Sequence, residues 1–166
     1  MSIENESKIK GDNYLEYLGY KFTKIRDNKD VILKISIAEK KLKKIKSRIT
    51  KSFIEYTKNC DLKLLENRIK FLTGNYSIKK NNEGNDLRAG IYFNYSQITD
   101  IEQLKYLNNY YRKILFAKKG NLGLQISCLS PEQKNKLKKY CFKSGFEKKI
   151  YYAFNYLQME EIVSCW

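Results

Sequence analysis

The sequence predicts a mainly α-helical fold (α+β overall), with a small N-terminal β-hairpin followed by a bundle of about five helices. Aromatic and β-branched residues concentrate in two short runs between positions 14 and 35, which is typical of paired strands. Beyond position 36, apolar residues recur at spacings of three and four, the period of a helix face. A single proline and the lack of a Ser/Gly-rich linker argue against two tethered domains.

The hairpin is predicted within residues 1–36, after a polar segment at 1–13. YLEYLGYKF, Tyr14 to Phe22, is rich in aromatic residues and predicts a strand. IRDNKD, Ile25 to Asp30, predicts a turn, and VILKI, Val31 to Ile35, predicts the second strand. Together the two runs indicate an antiparallel pair joined by a loop longer than the tightest hairpin turns.

Residues 37–166 are expected to form the helical domain, and its first helix has the clearest pattern. Ser36 and Glu39 have the S-x-x-E spacing of a capping box, which predicts the helix start. The apolar face comprises Ala38, Leu42, Ile45, Ile49, Phe53 and Tyr56. The other faces carry Lys40, Lys41, Lys43, Lys44, Lys46, Arg48 and Lys51, with no acid among them. Because solvated helices usually mix charges to form i,i+4 pairs, this composition favours a helix that faces phosphates.

A second helix is predicted from its cap, Asp61, to Thr73, with Gly74 as the stop. The stretch that follows is expected to be irregular, with a loop at 81–86 and a short strand at Gly90 to Tyr95.

The last three helices are predicted from start and stop signals. The third opens with the capping-box spacing at 99–102 and ends at Gly120. An extended segment, Gly123 to Leu129, separates it from the fourth helix. That helix begins at the Ser-Pro step at 130–131, with proline in its first turn. The tail, 147–166, is predicted to be a fifth, apolar-rich helix.

The charge of the chain predicts a polyanionic partner. Its 33 basic and 18 acidic residues give a net charge of +15. Residues 1–39 hold seven of each sign, whereas residues 40–119 hold nineteen basic and seven acidic residues. A basic body attracts nucleic acid, and such binding weakens with salt through counterion release. A lysine-rich composition inherited from AT-rich coding would be spread more evenly, so the concentration favours a real partner.

The residue types needed for catalysis are largely missing. The chain has no histidine, which excludes a Ser–His or Cys–His nucleophile pair. Its four cysteines show no C-x-x-C spacing, so no metal site and no cofactor are expected, and we interpret the cysteines as small buried hydrophobes in a reducing cytoplasm. The adjacent acids Glu160 and Glu161 would point in different directions on a helix. We therefore expect no enzyme activity from this chain by itself.

The sequence also predicts a cytoplasmic protein with no membrane partner. No run approaches the roughly 18 apolar residues of a membrane span. The N-terminus, MSIENESKIK, lacks the apolar core of a signal peptide.

The segment from the hairpin to Tyr95 resembles part of the bacterial reverse transcriptases. In retron, group II intron and phage-defence members, a Tyr-Leu-Gly-Tyr-x-Phe hairpin follows the palm as the primer grip, and a Ser-opened basic helix begins the thumb. The matching residues here are Tyr17, Leu18, Gly19, Tyr20, Phe22, Ser36, Lys40, Lys44 and Arg48. The segments Arg68 to Ile78 and Gly90 to Tyr95 also look like the C-terminal region of the phage-defence members.

The resemblance implies a primer-grip and thumb module without fingers and palm. The palm, with its Tyr-x-Asp-Asp motif, precedes the grip in that family, whereas this sequence starts almost at the grip. The chain would be the C-terminal piece of a split or truncated reverse transcriptase, or a subunit that completes a palm-bearing partner, and would act in phage defence. It would hold RNA or an RNA–DNA duplex; the sequence does not decide between RNA, DNA and hybrid.

The candidate nucleic-acid contacts follow from these roles. Gly19 would let the backbone approach the primer closely, and Tyr17 or Tyr20 would stack on sugar or base. Strand alternation predicts that these two tyrosines point to opposite faces of the hairpin, with one of them in the core. An exposed Asn75–Tyr76 pair could touch a nucleotide, but a turn with Tyr76 packed inward is preferred. The full set is Tyr17, Gly19, Tyr20, Lys21, Lys40, Lys43, Lys44, Arg48, Lys51, Asn75 and Tyr76.

Two other functions remain open from the sequence. The chain could be a stand-alone RNA-binding protein without a polymerase partner. It could also be a protein-interaction module that docks through its tail, Tyr151 to Trp166, although that tail serves a small core equally well. A basic surface for anionic membranes is a poorer third reading, because the first helix has no spare apolar face.

Overall fold

A computed structural model describes residues 14–27, 30–80 and 86–166. The predicted polar segment at 1–13, the centre of the predicted turn at 28–29, and positions 81–85 of the predicted loop lie outside the described residues. Within the described part, an N-terminal three-stranded antiparallel sheet is followed by helices and one further two-stranded sheet. This confirms the predicted fold class, mainly α with a small β element at the N-terminus.

The described residues form five strands and eight helices. The strands are β1 (Tyr14–Tyr17), β2 (Tyr20–Asp27), β3 (Asp30–Ile37), β4 (Asn75–Lys80) and β5 (Asp86–Gly90). The helices are α1 (Glu39–Asn59), α2 (Leu62–Thr73), α3 (Ile91–Tyr95), α4 (Glu102–Leu115), α5 (Gly120–Ile126), α6 (Pro131–Lys138), α7 (Phe142–Glu147) and α8 (Tyr156–Val163). The prediction of about five helices was too low because several of these segments are only one or two turns long.

The predicted strand from Tyr14 to Phe22 is broken by a tight turn. Leu18 and Gly19 have φ of 49° and 88°, and positive φ at both positions is the mark of a type I′ hairpin turn. Tyr17 and Tyr20 are therefore cross-strand partners, and directly paired residues point to the same face. The expectation of opposite faces is wrong. The expectation that one of them is core is confirmed, because Tyr20 packs on the hydrophobic cluster.

Helix α1 has the predicted apolar face but not the predicted cap. Ser36 is buried within β3, where its hydroxyl donates to the Lys21 carbonyl at 3.2 Å, because pairing with β2 keeps position 36 extended. The helix begins at Glu39, with Ala38 as an N-cap that provides no side-chain hydrogen bond. The backbone N–H of Ala38 instead donates to the Gly19 carbonyl at 2.9 Å. The hairpin turn thereby lies against the start of α1.

Two other helix starts are confirmed. The Asp61 side chain accepts a hydrogen bond from the Leu64 N–H at 2.9 Å and caps α2, which ends at Thr73 before Gly74. Ser130 and Gln133 form a reciprocal capping box at the start of α6. In both cases the capping partner lies three residues away, so a local pattern is sufficient to predict it.

Three predictions in the middle of the chain were wrong. The stretch after Gly74, expected to be irregular, contains β4 and β5, which pair antiparallel. The segment after Gly90 is helix α3, because the Asn75 side chain accepts from the Tyr92 N–H at 2.9 Å and the β4–β5 pairing ends at Gly90. Thr99 does not cap α4, since its hydroxyl bonds to the backbone of Ile35. Helix α4 begins without a side-chain hydrogen bond at its N-cap.

Corrections also apply to the C-terminal third. Gly120 opens α5 rather than ending α4, and the segment 123–129, predicted to be extended, is largely part of α5. The tail is helical only in α8, because the Tyr152 N–H donates to the Asn75 carbonyl at 2.7 Å and holds that stretch extended. Cys60 and Cys128 are exposed, contrary to the expected buried cysteines.

The hydrophobic core lies between α1, α2, α4 and the helices that follow. Phe53 of α1 and Tyr111 of α4 are almost fully buried, and their ring centroids are 6.0 Å apart. Leu104 and Leu107 of α4 and Phe142 of α7 complete the contact. No helix in the described ranges has the length and apolar character needed to cross a membrane.

Candidate nucleic-acid interface

The solvent face of α1 carries several exposed lysines, and we call four of them, Lys40, Lys43, Lys44 and Lys51, the lysine ridge. On a helix of 3.6 residues per turn, Lys40, Lys44 and Lys51 fall within an arc of roughly 40° around the helix axis. Lys43 lies about 60° to one side of Lys40. The opposite face of α1 is buried, with Ile49 and Phe53 at 0% exposure. The ridge therefore extends along roughly 16 Å of the helix on one side.

None of the four ridge lysines makes an ion pair within the described part of the chain. Other lysines do: Lys34 pairs with Asp100 at 3.0 Å. Lys58, about two turns beyond the end of the ridge, pairs with Glu55 at 3.1 Å. The ridge charge is thus not neutralised by nearby carboxylates that the structure describes.

The structure does not bring Arg48 to the ridge. Its guanidinium lies 4.8 Å from the ring of Trp166, and its Nε atom is buried without a hydrogen-bond partner among the described residues. The Trp166 indole is itself fixed on α1, since it donates to the Ser52 hydroxyl at 3.2 Å. Trp166 packs here from the far end of the chain, so no local pattern around Arg48 could predict the contact.

The hairpin turn lies beside the N-terminal end of the ridge. Gly19 lies under the side chain of Lys41, so an added Cβ would sit 3.2 Å from the Lys41 Cε. Tyr17 is 63% exposed and Leu18 is 79% exposed at this turn. The Lys21 ammonium lies 4.0 Å from the ring centroid of Tyr14. Tyr17, Gly19 and Lys21 thus share the N-terminal sheet beside α1, although Gly19 is covered by a lysine stem.

Tyr20 belongs to the interior rather than to this surface. Its hydroxyl donates to the Asn94 carbonyl at 3.2 Å. Its ring meets Tyr95 edge-on with centroids 6.2 Å apart. With both its hydroxyl and its ring occupied by the fold, Tyr20 is placed to support the hairpin and not to stack on a nucleotide.

The expectation of an exposed Asn75–Tyr76 pair is wrong, and the preferred inward packing is confirmed. Asn75 has 0% exposure. Its side-chain amide donates to the carbonyls of Gly145 and Ile150 at 3.1 and 3.0 Å. Tyr76 stacks on Phe71 with ring centroids 3.9 Å apart, and burial raises the pKa of Tyr76 to about 12. These two residues join α2, α7 and the tail.

Two aromatic residues beside the ridge, Tyr106 and Tyr110, were not predicted as part of the site. Lys46, on the flank of α1, donates to the Tyr106 hydroxyl of α4 at 2.9 Å. It also lies 4.9 Å from the ring centroid of Tyr110. Their spacing of four residues beside an apolar stripe places Tyr106 and Tyr110 on one side of α4. That this side faces α1 depends on the tertiary fold and could not be predicted from the spacing.

The described residues contain no group of three or more His, Cys, Asp and Glu side chains placed to hold a metal ion. No protein-family model matches this chain, and searches of curated proteins and of solved structures find no match. The fold and the surface together define a small, mainly α-helical protein that presents, next to an exposed β-turn, a row of lysines with no ion-pair partner in the ranges that the structure describes.

Proposed function

We propose that this chain binds the backbone of nucleic acid as a primer-grip and thumb module. It would hold a template–primer duplex for a polymerase palm on another chain, in a split reverse transcriptase of the phage-defence kind. The observation that carries the proposal is the lysine ridge, with no carboxylate partner among the described residues. Lysines placed in this way contact phosphates without reading base sequence.

The absence of described ion pairs at the ridge is favourable for phosphate binding. A lysine that already pairs with a carboxylate must lose that pair before it binds a phosphate. The ridge lysines carry no such cost within the described part of the molecule, and each phosphate that they neutralise releases condensed counterions. The expected partner is an RNA–DNA hybrid or an RNA duplex, whose wide and shallow minor groove can accept a helix lying along it.

The apolar surface of the N-terminal sheet supports a protein partner in addition. Val31, Ile32 and Leu33 are consecutive in β3 and are 56%, 49% and 56% exposed. Because consecutive strand residues point to opposite faces, this run places apolar side chains on both faces of the sheet. A sheet with one solvated face normally has polar residues there. A palm-bearing chain would cover this surface, and the same observation favours a protein-interaction module as the second candidate function.

The lysine ridge can be tested by changing Lys40, Lys43, Lys44 and Lys51 together to Gln. Affinity for an RNA–DNA hybrid should be measured over a range of salt concentrations. The slope of log K against log salt should fall in magnitude by roughly 2 to 4, since each lost phosphate contact removes a little less than one unit. The matched control changes four exposed lysines on other segments, Lys118, Lys119, Lys138 and Lys139, to Gln.

The control set should leave the slope close to that of the unchanged chain. Equal losses from both sets would indicate attraction by overall charge alone and would contradict a dedicated ridge. An unchanged slope in the ridge variant would also contradict it. Purification of the native complex separates the remaining alternatives: a palm-bearing chain that co-purifies supports the thumb role, and RNA without such a chain supports a stand-alone RNA-binding protein.

A further inference from the structure

The surface between α1 and α4 contains an exposed aromatic ring held by a lysine. Tyr106 is 51% exposed, and its hydroxyl accepts a hydrogen bond from the Lys46 ammonium at 2.9 Å. The Lys46 nitrogen is 5.2 Å from the centroid of the Tyr106 ring, so it holds the ring mainly by its hydroxyl end. The hydroxyls of Tyr110 and Thr50 meet at 2.8 Å and close the floor between the two helices.

This cluster adjoins the lysine ridge. Lys43 of the ridge precedes Lys46 by three residues, which places the two side chains on neighbouring turns of the same side of α1. The hydrogen bond to Tyr106 raises the pKa of Lys46 further above neutral, so this contact favours the charged form of the lysine. An aromatic ring with adjacent cations is the combination that binds unpaired nucleotides, since the base stacks on the ring and the phosphates meet the charges.

The fixed position of Tyr106 favours this use. A free surface tyrosine loses side-chain freedom when a base stacks on it, which reduces affinity. Here the hydroxyl is already held by Lys46, so part of that loss has occurred before any ligand binds. Tyr106 nevertheless keeps 51% of its surface exposed to solvent.

We propose that Tyr106 is a stacking site for an unpaired base in a single-stranded segment of nucleic acid, with Lys46 and Lys43 on the neighbouring phosphates. The proposal rests on the proposed function and deepens it, because it assigns a single strand to the α1–α4 surface beside the duplex on the ridge. It also gives the molecule a means to distinguish strands that carry bases from bare sugar-phosphate chains.

The test compares two short fluorescent oligomers of equal length, an oligothymidylate and an abasic sugar-phosphate chain. The unchanged chain should bind the oligothymidylate more tightly. Tyr106→Ala should weaken that binding by about 5- to 30-fold, to the level of the abasic oligomer. Tyr106→Phe keeps the ring and should retain most of the preference. Tyr156→Ala, which removes an 80% exposed tyrosine from α8, is the matched control and should change nothing.

The possible outcomes separate this inference from the function on which it rests. Equal binding of the two oligomers by the unchanged chain, or equal affinities for Tyr106→Ala and Tyr106→Phe, would overturn the stacking site. In either case, the backbone-binding function would still be supported if the slope of log K against log salt falls in magnitude when the ridge lysines are changed. If neither oligomer binds in a salt-dependent manner and the ridge variant behaves like the unchanged chain, both proposals fail.

Discussion

At the scale of single residues, Asn75 has the largest structural role of any candidate that the sequence offered. Its backbone N–H donates to the Ile150 carbonyl at 2.9 Å, and its own carbonyl accepts from Tyr152. Its side chain adds two donated bonds, to Gly145 and Ile150, and one accepted bond from Tyr92. One buried amide thus joins the end of α2 to α3, α7 and the tail.

Replacing Asn75 with Ala should destabilise the fold by about 3 kcal/mol, because the change removes three side-chain hydrogen bonds at a buried site and leaves the Tyr92 N–H without its partner. Urea unfolding at neutral pH would measure the loss. Asn109→Ala, at an exposed position in α4, is the matched control and should stay within about 0.5 kcal/mol of the unchanged chain. A similarly small effect at Asn75 would contradict its assigned role.

The sequence could not have shown this role for Asn75. Its side-chain partners lie between 17 and 75 positions away along the chain. No local pattern marks an asparagine that will be buried by distant segments. From the sequence, an exposed contact and a turn with inward packing were both possible; the structure confirms the inward packing, but places Asn75 and Tyr76 in strand β4 rather than in a turn.

At the scale of elements, the faces of α1 could be predicted from the sequence, whereas its first residue could not. Its apolar period and its uninterrupted basic face were evident from spacing alone, since both follow from 3.6 residues per turn. Its start was not, because the Ser36 hydroxyl bonds to Lys21 on the paired strand instead of capping the helix. A serine near a helix start can either cap the helix or belong to the preceding strand. Long-range strand pairing decides between these two roles.

The hairpin turn was missed for a different reason. Tight hairpins usually contain Asn-Gly or Asp-Gly, which accept positive φ readily, whereas this turn is Leu18-Gly19. A leucine with φ of 49° and 79% exposure is unfavourable both for the backbone and for hydration. Leu18 is thus a further exposed apolar position, at the opposite end of the sheet from Val31, Ile32 and Leu33.

At the scale of the whole molecule, an ionic cluster around the buried Glu66 links α2 to the C-terminal third. Glu66 is 9% exposed and accepts hydrogen bonds from Lys136 at 2.8 Å and from the Tyr140 hydroxyl at 2.5 Å. Lys70 lies 2.9 Å away on the same helix. Burial alone would raise the pKa of Glu66, but the hydrogen bonds from Lys136, Tyr140 and Lys70 outweigh it and lower that pKa to about 2.

This lowered pKa predicts a loss of stability in acid. The folded state holds Glu66 ionised more strongly than the unfolded state, so its contribution is present above about pH 5 and is lost as the pH falls towards 2. Glu66→Gln should lower the free energy of unfolding by about 2 to 3 kcal/mol near pH 7, with a difference that shrinks in acid. Urea unfolding at several pH values would measure this, with Glu132→Gln, an exposed site on α6, as the control. Parallel pH curves for Glu66→Gln and the unchanged chain would contradict the prediction.

A footprint of lysine reactivity would show whether the lysine ridge of α1 contacts the nucleic-acid backbone, as we propose. The chain would be acetylated briefly with and without an RNA–DNA hybrid, and each lysine would be quantified by mass spectrometry. We expect Lys40, Lys43, Lys44 and Lys51 to lose reactivity on binding and to regain it in high salt, while Lys118, Lys119, Lys138 and Lys139 do not change. Full reactivity of the ridge lysines in a chain that has bound the hybrid would contradict the claim.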